Sequence, residues 1–262
     1  MELWQAIVLG FIQGITEFLP VSSSGHLVIT QSILKIPEDV VISFDIIVHL
    51  GTLIAVVAYF FQDLKKLITG LFKQEKESVN LFLCLILGTL PVCFVYVVAN
   101  KYIQGLFNNP QITAFFLVIT GFILLLSDGL SGDVSLDKLT PKDSLWIGLG
   151  QAIAIMPGIS RSGSTIAAGL WRKLSRQAAA RVSFLLAIPV ILGAGIVDFG
   201  NLLNGGYQKI GAVSFWLGLV TSAITGYIVI KFFLSYLQKG TLKVFAFYCM
   251  IAGGFAFMTF LL

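Results

Sequence analysis

The stretch Pro20-Val-Ser-Ser-Ser-Gly-His26 interrupts an apolar sequence: residues 3–19 precede it and the apolar residues 27–36 follow it. A second stretch, Pro157-Gly-Ile-Ser-Arg-Ser-Gly-Ser-Thr165, follows the apolar residues 144–156 in the same way. Each flanking piece is shorter than the roughly 17–25 apolar residues that cross a bilayer as a helix. Irregular backbone at membrane depth is tolerated only where protein or a water-filled cavity satisfies it. The two stretches therefore predict re-entrant hairpins, whose half-helices enter and leave on one face.

The composition of the whole chain excludes a soluble globule. Of its 262 residues, 57% are hydrophobic and 11% are charged, against about 45–50% and about 25% in soluble domains. No polar stretch is long enough for a soluble domain, so residues 1–262 form a single integral membrane domain. The predicted fold class is an all-α polytopic membrane protein with six transmembrane helices plus the two re-entrant helix-loop-helix hairpins. The six spans are predicted at residues 41–61, 80–99, 111–129, 177–199, 211–232 and 242–262.

The two hairpins resemble each other in sequence. Matches at a shift of 138 positions are Gly10 with Gly148, Gln13 with Gln151, Ser22 with Ser160, Ser24 with Ser162, and Gly25 with Gly163. Ser43-Phe44 and Ser183-Phe184 match at a shift of 140. We interpret the chain as an internal duplication with halves at approximately 1–130 and 140–262, each a hairpin followed by three spans.

The number of spans and the positive charges predict the orientation. Three spans per half is an odd number, so the second half begins on the opposite face and the repeat is inverted. Of the 17 lysines and arginines, Arg161 lies in a loop, and Lys35, Lys101 and Lys209 lie on the face that carries both termini. The other thirteen lie on the opposite face, and cytoplasmic loops carry the excess of Lys and Arg. Both termini are therefore predicted to be extracytoplasmic, with the hairpin tips meeting near the midplane, where transporters place their sites.

Ionisable side chains within membrane segments are candidates for function. Gln13 and Glu17 share one face of the first half-helix because they are four residues apart. His26 ends the first loop, and Arg161 lies in the second. Both second half-helices begin at the loops and direct positive dipole ends to the midplane. A phosphate with a divalent cation fits such a pocket, since arginine binds phosphate through two parallel hydrogen bonds and carboxylates bind Mg²⁺ or Ca²⁺.

Each of these residues also has a structural interpretation. Glu17 and Arg161 would then form an ion pair that only holds the hairpins together, and His26 would only bind a loop carbonyl. The loop serines would be caps of the second half-helices. Asp45 and His49, at i and i+4 on one helix face, are equally well explained as a polar packing pair.

The two motifs resemble those of bacterial undecaprenyl-diphosphatase, a family linked to bacitracin resistance. The family's first motif has Glu or Gln, three residues and then Glu, as in Gln13 to Glu17; its second is Pro-Gly-x-Ser-Arg-Ser-x-x-Thr, as in residues 157–165. The resemblance covers the whole chain. It implies a metal-dependent hydrolase that converts the C55 polyprenyl diphosphate to the monophosphate carrier lipid of cell-wall synthesis, in the bacterial plasma membrane, with Mg²⁺ or Ca²⁺ as cofactor.

By position, the resemblance implies roles for individual residues. Glu17 would be a catalytic or metal-binding carboxylate, with Gln13 as a second metal ligand, and Arg161 would clamp the diphosphate. Ser23 or a neighbouring serine, with His26, would supply nucleophilic or acid–base chemistry, and a metal-bound water is the alternative nucleophile. Many members have Glu at position 13, so Gln13 leaves this site one carboxylate fewer. Substrate contacts would come from Ser22, Ser24, Gly25, Ser160, Ser162, Gly163 and Thr165.

Three rival functions have different sequence requirements. The type-2 phosphatidic acid phosphatases need a histidine after their Ser-Arg motif, whereas both histidines here precede Arg161. A carrier or lipid flippase would use the same inverted hairpins, with Glu17, His26 and Arg161 as a binding site. A structural subunit would leave the midplane polar groups without a purpose. The expected partners are the polyprenyl diphosphate and membrane lipid, with no nucleic acid, and a homodimer remains open.

Overall fold

A computed structural model of the chain describes residues 1–107, 109–201 and 207–261. Throughout this part the regular elements are helices, apart from one isolated parallel bridge between Val134 and Leu174. A short 3-10 helix covers Leu136–Lys138. The α-helices are α1 (Leu3–Phe18), α2 (Ser23–Ile33), α3 (Glu38–Tyr59), α4 (Phe61–Phe72), α5 (Lys76–Phe107), α6 (Pro110–Ser127), α7 (Pro141–Ile153), α8 (Arg161–Trp171), α9 (Arg176–Asn201), α10 (Tyr207–Ile210), α11 (Ala212–Tyr236) and α12 (Lys243–Leu261).

Six of these helices, α3, α5, α6, α9, α11 and α12, are long and apolar enough to cross a membrane. The apolar part of each agrees with one predicted span to within four residues at either end, although α5 itself continues to Phe107, so the prediction of six spans is confirmed. Large apolar side chains cover their outward surfaces, with Val97 80% exposed on α5 and Phe255 77% exposed on α12. In water such a surface would be unfavourable, and lipid is the solvent that it fits.

Helix α4 was not predicted from the sequence. It begins immediately after α3, where Phe60 ends one helix and precedes the next. Leu67 and Gly70 are buried on one side, while Lys65, Lys66 and Phe72 are exposed. At 12 residues α4 is too short to span, and its alternation of lysines with apolar residues is typical of a helix lying along a membrane interface.

Two pairs of short helices, α1 with α2 and α7 with α8, correspond to the two predicted hairpins. Contacts near the outer ends of each pair show how its two helices are arranged. In the second pair, Arg172 follows α8 and its Nε donates to Asp143 Oδ1, near the start of α7, at 2.7 Å. In the first pair, Met1 precedes α1 and its amino group lies 3.4 Å from the carbonyl of Lys209. Ile36, which follows α2, belongs to the same buried cluster as Ile210, the residue after Lys209. The start of α1 and the end of α2 therefore both lie near residues 209–210. In each pair the start of the first helix and the end of the second therefore have neighbours in common or contact each other. The side chain of Lys101, used in the charge count, lies outside the described part.

Each pair packs on a spanning helix of the opposite half. Helix α1 lies along α11 and α7 lies along α5. A Cβ atom built on Gly10 would lie 2.7 Å from the carbonyl oxygen of Gly218, and one built on Gly148 would lie 2.6 Å from that of Gly88. Only glycine permits backbones this close, as is common between membrane helices. Both contacts run parallel. Ser214 at the start of α11 donates to the carbonyl of Met1, and Ser144, four residues before Gly148, donates to the carbonyl of Cys84, four residues before Gly88.

The tip of the first helix pair packs against α9. The buried ring of Phe18 meets that of Phe184 edge-on, with 5.2 Å between the centroids. Because Phe18 adjoins Glu17 and Phe184 adjoins Ser183, this aromatic contact fixes the distance between the first loop and α9.

Candidate active site

The two loops end in the same cap. Ser22 precedes α2 and its Oγ accepts from the Gly25 N–H at 3.2 Å, while Ser160 precedes α8 and its Oγ accepts from the Gly163 N–H at 3.0 Å. The cap serines also contact the serine two residues later, at 3.3 Å between Ser22 and Ser24 and at 3.1 Å between Ser160 and Ser162. One donor in each first helical turn is thus already satisfied by serine, and a phosphate would have to compete for it.

The loops differ in backbone conformation at the cap. Ser22 has φ 68°, in the left-handed region that side chains rarely adopt, whereas Ser160 has φ −69°. Such conformations cost of order 1–3 kcal/mol and cluster at functional sites. The first loop is therefore the strained member of the pair.

A buried ion pair joins the two loops. Glu17, on the last turn of α1, accepts at Oε1 from Nη2 of Arg161, the first residue of α8, at 2.6 Å. The side chains of Glu17 and Arg161 are 6% and 15% exposed. The other arm of the guanidinium, Nη1, donates to the backbone carbonyl of Ser183 on α9 at 3.0 Å. The expected contact between Glu17 and Arg161 is present, and Ser183 is an additional partner that the sequence did not indicate.

The second carboxylate oxygen of Glu17 faces the first loop. Ser23 Oγ donates to Oε2 at 2.6 Å, and Gln13 Nε2 donates to the same atom at 2.9 Å. The Oε1 atom of Gln13 is buried and has no hydrogen-bond partner. A buried polar atom without a partner is costly in a folded protein, so this oxygen, in a residue that contacts Glu17, is a candidate ligand atom.

Further hydrogen bonds fix the second loop against its surroundings. Ser162 Oγ donates to the carbonyl of Leu19 at 2.9 Å, which ties the second loop to the first. Thr165 Oγ1 donates to Arg161 O at 2.7 Å and also lies 2.7 Å from Ser183 Oγ. Thr165 therefore supports Arg161 from behind.

His26 lies apart from Ser23 and Glu17. Its Nδ1 is 2.8 Å from the carbonyl of Ser22, and its Nε2 is 2.7 Å from the hydroxyl of Tyr248 on α12. Both ring nitrogens are thus engaged by groups other than Ser23. The hydroxyl of Ser23 is paired with the carboxylate of Glu17, which is the base that the geometry offers to it.

The structure brings His49 to the site and leaves Asp45 beside it. His49 Nε2 is 3.8 Å from Glu17 Oε2, and its Nδ1 is 2.7 Å from the backbone carbonyl of Asp45. Asp45 Oδ1 accepts from Gln31 Nε2 at 2.6 Å. A polar packing pair alone would not place His49 next to the central carboxylate, so His49 belongs to the surroundings of Glu17.

The oxygen atoms around Glu17 fit a hard divalent cation. Glu17 supplies a carboxylate, Gln13 supplies the unpartnered amide oxygen, and Ser23 supplies a hydroxyl. Within the described residues, no group of three His, Cys, Asp or Glu side chains could hold a metal. Mg²⁺ does not require one, because it commonly binds one or two carboxylates together with substrate phosphates. The donor set therefore fits a cation that arrives with, or is completed by, a diphosphate.

Two partners of the site could not be singled out from sequence. Ser183 contributes its backbone carbonyl, and its only indication in the sequence was the match with Ser43 in the predicted internal duplication. Tyr248 lies in a uniformly apolar span, where an aromatic residue is ordinary. Neither position carries a charge or a motif that would distinguish it.

Comparison with known proteins gives consistent relatives along the whole chain. The family model described as "Bacitracin resistance protein BacA" matches residues 6–255. The undecaprenyl-diphosphatase of Halothermothrix orenii is 42% identical over 254 residues, which cover 97% of this chain and 96% of that protein. The undecaprenyl-diphosphatase of Methanobrevibacter smithii is 41% identical over 274 residues, which cover 98% of each. That of Thermosipho melanesiensis is 40% identical over 257 residues, covering 96% of this chain and 97% of that protein.

Proposed function

The chain belongs to the bacitracin resistance protein BacA family, and on this premise we propose how its site performs the family's reaction. The protein is a membrane hydrolase that converts undecaprenyl diphosphate to undecaprenyl phosphate and inorganic phosphate. This reaction returns the carrier lipid to cell-wall synthesis. The observation that carries the proposal is the Glu17–Arg161 contact, since it unites the two family motifs in one polar site with Ser23.

Arg161 is the proposed diphosphate clamp. Its guanidinium has a planar arrangement of donors that matches phosphate oxygens. The Ser183 carbonyl accepts from Nη1 and keeps the guanidinium in place. Nη2 would then release the Glu17 carboxylate and donate to a phosphate oxygen instead. Hydrolysis of a phosphoric anhydride depends largely on positioning and charge stabilisation, which a clamped guanidinium supplies.

Ser23 is the proposed nucleophile, and Glu17 is its base. Ser23 Oγ would form a bond to the terminal phosphorus while the bridging P–O bond breaks, and undecaprenyl phosphate would leave with that oxygen. The hydroxyl proton would pass to Glu17 Oε2, 2.6 Å away. Water would then cleave the phosphoserine and release inorganic phosphate. Direct attack by water is the alternative, and trapping of phosphoserine distinguishes the two.

A divalent cation, Mg²⁺ or Ca²⁺, is the proposed cofactor. Glu17 and Gln13 would hold it through a carboxylate and an amide oxygen, and substrate phosphate would complete its coordination. When bound it supplies positive charge that offsets the negative charge of the diphosphate. His26 would serve acid–base chemistry at the edge of the site, and the serines and glycines of both loops would contact the phosphates.

We place the two helix pairs in the membrane as re-entrant hairpins of an inverted repeat, with halves at about 1–130 and 140–262 in one domain. The equal caps of α2 and α8 support the duplication, and the Arg172–Asp143 contact supports the return of the second pair to one face. The positive charges support extracytoplasmic termini. The proposed location is the plasma membrane.

The experiment that tests the function is phosphate release from a C55 polyprenyl diphosphate by the purified protein in detergent. Wild type, Glu17→Ala and Arg161→Ala are compared with Mg²⁺, with Ca²⁺ and with chelator. We expect metal-dependent release by the wild type and its loss in both variants. Light scattering of the same samples decides between monomer and homodimer.

The outcomes separate hydrolysis from transport. No release by a folded wild type would contradict the hydrolase and favour a carrier that uses the same residues for binding. Release that persists in chelator would remove the cation from the proposal and leave Arg161 and Ser23 as its basis.

A further inference from the structure

His26 has a second partner outside both family motifs. The hydroxyl of Tyr248 lies 2.7 Å from His26 Nε2, and the two rings are nearly parallel, with 5.6 Å between centroids and 5° between planes. The adjacent Cys249 is buried and its Sγ lies 3.7 Å from the carbonyl of Pro20. Helix α12 therefore contacts the first loop at two consecutive residues.

The hydrogen bonds determine the tautomer of His26. The Ser22 carbonyl can only accept, so Nδ1, at 2.8 Å, must carry the hydrogen. In the neutral ring Nε2 is then the acceptor, and the Tyr248 hydroxyl donates to it. Which imidazole nitrogen is protonated is set by the partner of the other nitrogen.

A phenol hydroxyl can hold the ring in both charge states. It donates to Nε2 when the imidazole is neutral and can turn to accept from Nε2–H when the imidazole is charged. The Ser22 carbonyl accepts from Nδ1–H in either state. His26 can therefore gain and lose a proton without changing its orientation.

We propose that Tyr248 is a positioning residue for the reaction: the Ser22 carbonyl sets the Nδ1–H tautomer of His26, and the Tyr248 hydroxyl holds the ring in one orientation through Nε2. This inference rests on the proposed function. Tyr248 is 46% exposed, so its hydroxyl lies at the border between the polar loop and the membrane surface of α12. An entering diphosphate would meet an imidazole whose orientation is already fixed.

The first test observes His26 without using activity. The chain has two histidines, so nitrogen-15 labelling of histidine gives two sets of ring resonances, and His49→Gln assigns them. Tyr248→Phe should shift the Nε2 resonance of His26, because that nitrogen loses its hydrogen-bond partner, while the Nδ1–H tautomer and the resonances of His49 are retained. Unchanged His26 resonances in Tyr248→Phe would overturn the proposal.

The second test is kinetic, with Tyr227→Phe as the matched control. Tyr227 is 43% exposed on α11, and its ring packs edge-on against Tyr59. Tyr248→Phe should lower kcat about tenfold and leave KM within about twofold, as for other partners that orient an imidazole. Tyr227→Phe should leave both constants unchanged. A rise of KM at constant kcat in Tyr248→Phe would overturn the proposal, because it would make Tyr248 a substrate-binding residue.

Failure of this inference is distinguishable from failure of the proposed function. If the wild type releases no phosphate, the function is wrong, and the resonances still decide whether Tyr248 orients His26. If the wild type is active and the His26 resonances are the same in Tyr248→Phe, only the positioning role is wrong.

Discussion

Glu17 Oε1 lies 2.6 Å from Arg161 Nη2, although the two residues are 144 positions apart in the chain. Both side chains are largely buried, so each neutralises a charge that would otherwise be expensive at this depth. Removing one partner leaves the charge of the other buried and unpaired, whereas removing both leaves no charge. Single and double variants should therefore differ in stability, while a catalytic role would make all of them inactive.

We predict that Arg161→Gln lowers the free energy of unfolding by roughly 3–5 kcal/mol, because Glu17 is left as a buried unpaired charge. Adding Glu17→Gln should recover most of this loss. Neither variant should release phosphate from the lipid diphosphate. Thermal unfolding in detergent and the release assay measure the two effects on the same samples. Activity in the double variant would show that the pair only holds the hairpins together.

We predict that Gln13→Glu lowers the divalent cation concentration for half-maximal activity, by about tenfold. A second carboxylate beside Glu17 increases the negative charge around the cation, and carboxylate count tunes such affinities. A titration of activity with Mg²⁺ measures the change.

The matched control for this variant is Gln151→Glu. Gln151, on α7, matches Gln13 in sequence at the shift of 138 positions, and its Oε1 is likewise buried without a partner. A carboxylate there should destabilise the fold and leave the cation dependence unchanged. An equal shift in both variants would mean that Gln13 does not contact the cation.

We predict that Ser23→Ala reduces kcat at least 100-fold, since its hydroxyl is the group paired with Glu17. Ser24→Ala should retain more activity, because Ser24 Oγ contacts Ser22. Acid quenching of wild type with labelled substrate should trap phosphoserine at position 23. Comparable activity in Ser23→Ala and wild type would favour water as the nucleophile.

We predict opposite labelling of two introduced cysteines in intact cells. The background carries Cys93→Ala, since Cys93 is the exposed cysteine and the other two are buried. Glu38→Cys, at the start of α3, should react with an impermeant thiol reagent added outside. Lys66→Cys, on α4, should react only after lysis. The reverse pattern would overturn the orientation inferred from the positive charges.

We predict that the stabilisation contributed by Asp128, which follows α6, disappears in acid. Burial alone would raise the pKa of Asp128. Hydrogen bonds from Thr241 and the Leu242 N–H, together with the charge of Arg176, lower the pKa by more than burial raises it, so it lies below the usual aspartate value. A group whose pKa is depressed by folding stabilises above its unfolded pKa, near 4, and loses this contribution as pH falls through the folded pKa.

Asp128→Asn should therefore lower stability by about 2 kcal/mol at pH 7, and the difference from wild type should close below about pH 4. Asp63→Asn is the control, because the Asp63 side chain is 43% exposed in its pair with Arg181. Exposed pairs contribute at most about 1 kcal/mol. Thermal unfolding at several pH values measures the stability of both variants relative to wild type. A difference between Asp128→Asn and wild type that does not change with pH would contradict the stabilising role of the Asp128 carboxylate.

The spans and the central ion pair were predictable for physical reasons. A bilayer requires a long apolar run, so composition alone located the six spans. The predicted inversion of the second half placed Glu17 and Arg161 at the same depth, and the two side chains are in contact although nothing local in the sequence relates them.

The remaining features depend on information that the side-chain pattern does not carry. Helix α4 was missed because a 12-residue mixture of lysines and apolar residues resembles a charged loop. Ser183 holds Arg161 through a backbone carbonyl, which any residue has. The orientation of His26 toward Tyr248 depends on the packing of α12, and spacing along the first loop suggested Ser23 instead.

The parallel packing of α1 on α11 constrains the order of biogenesis. The segment that becomes α1 is made first, but its partner begins only at Ala212. At about 5–20 residues per second, the ribosome needs roughly 10–40 s to supply that partner. Throughout this interval α1 lacks its neighbour helix, and for about the first three quarters of it Glu17 also lacks Arg161, which is made 51 residues before Ala212. The α1–α2 pair is therefore made well before the helix on which it packs. A nascent chain cannot turn over substrate before its synthesis is nearly complete.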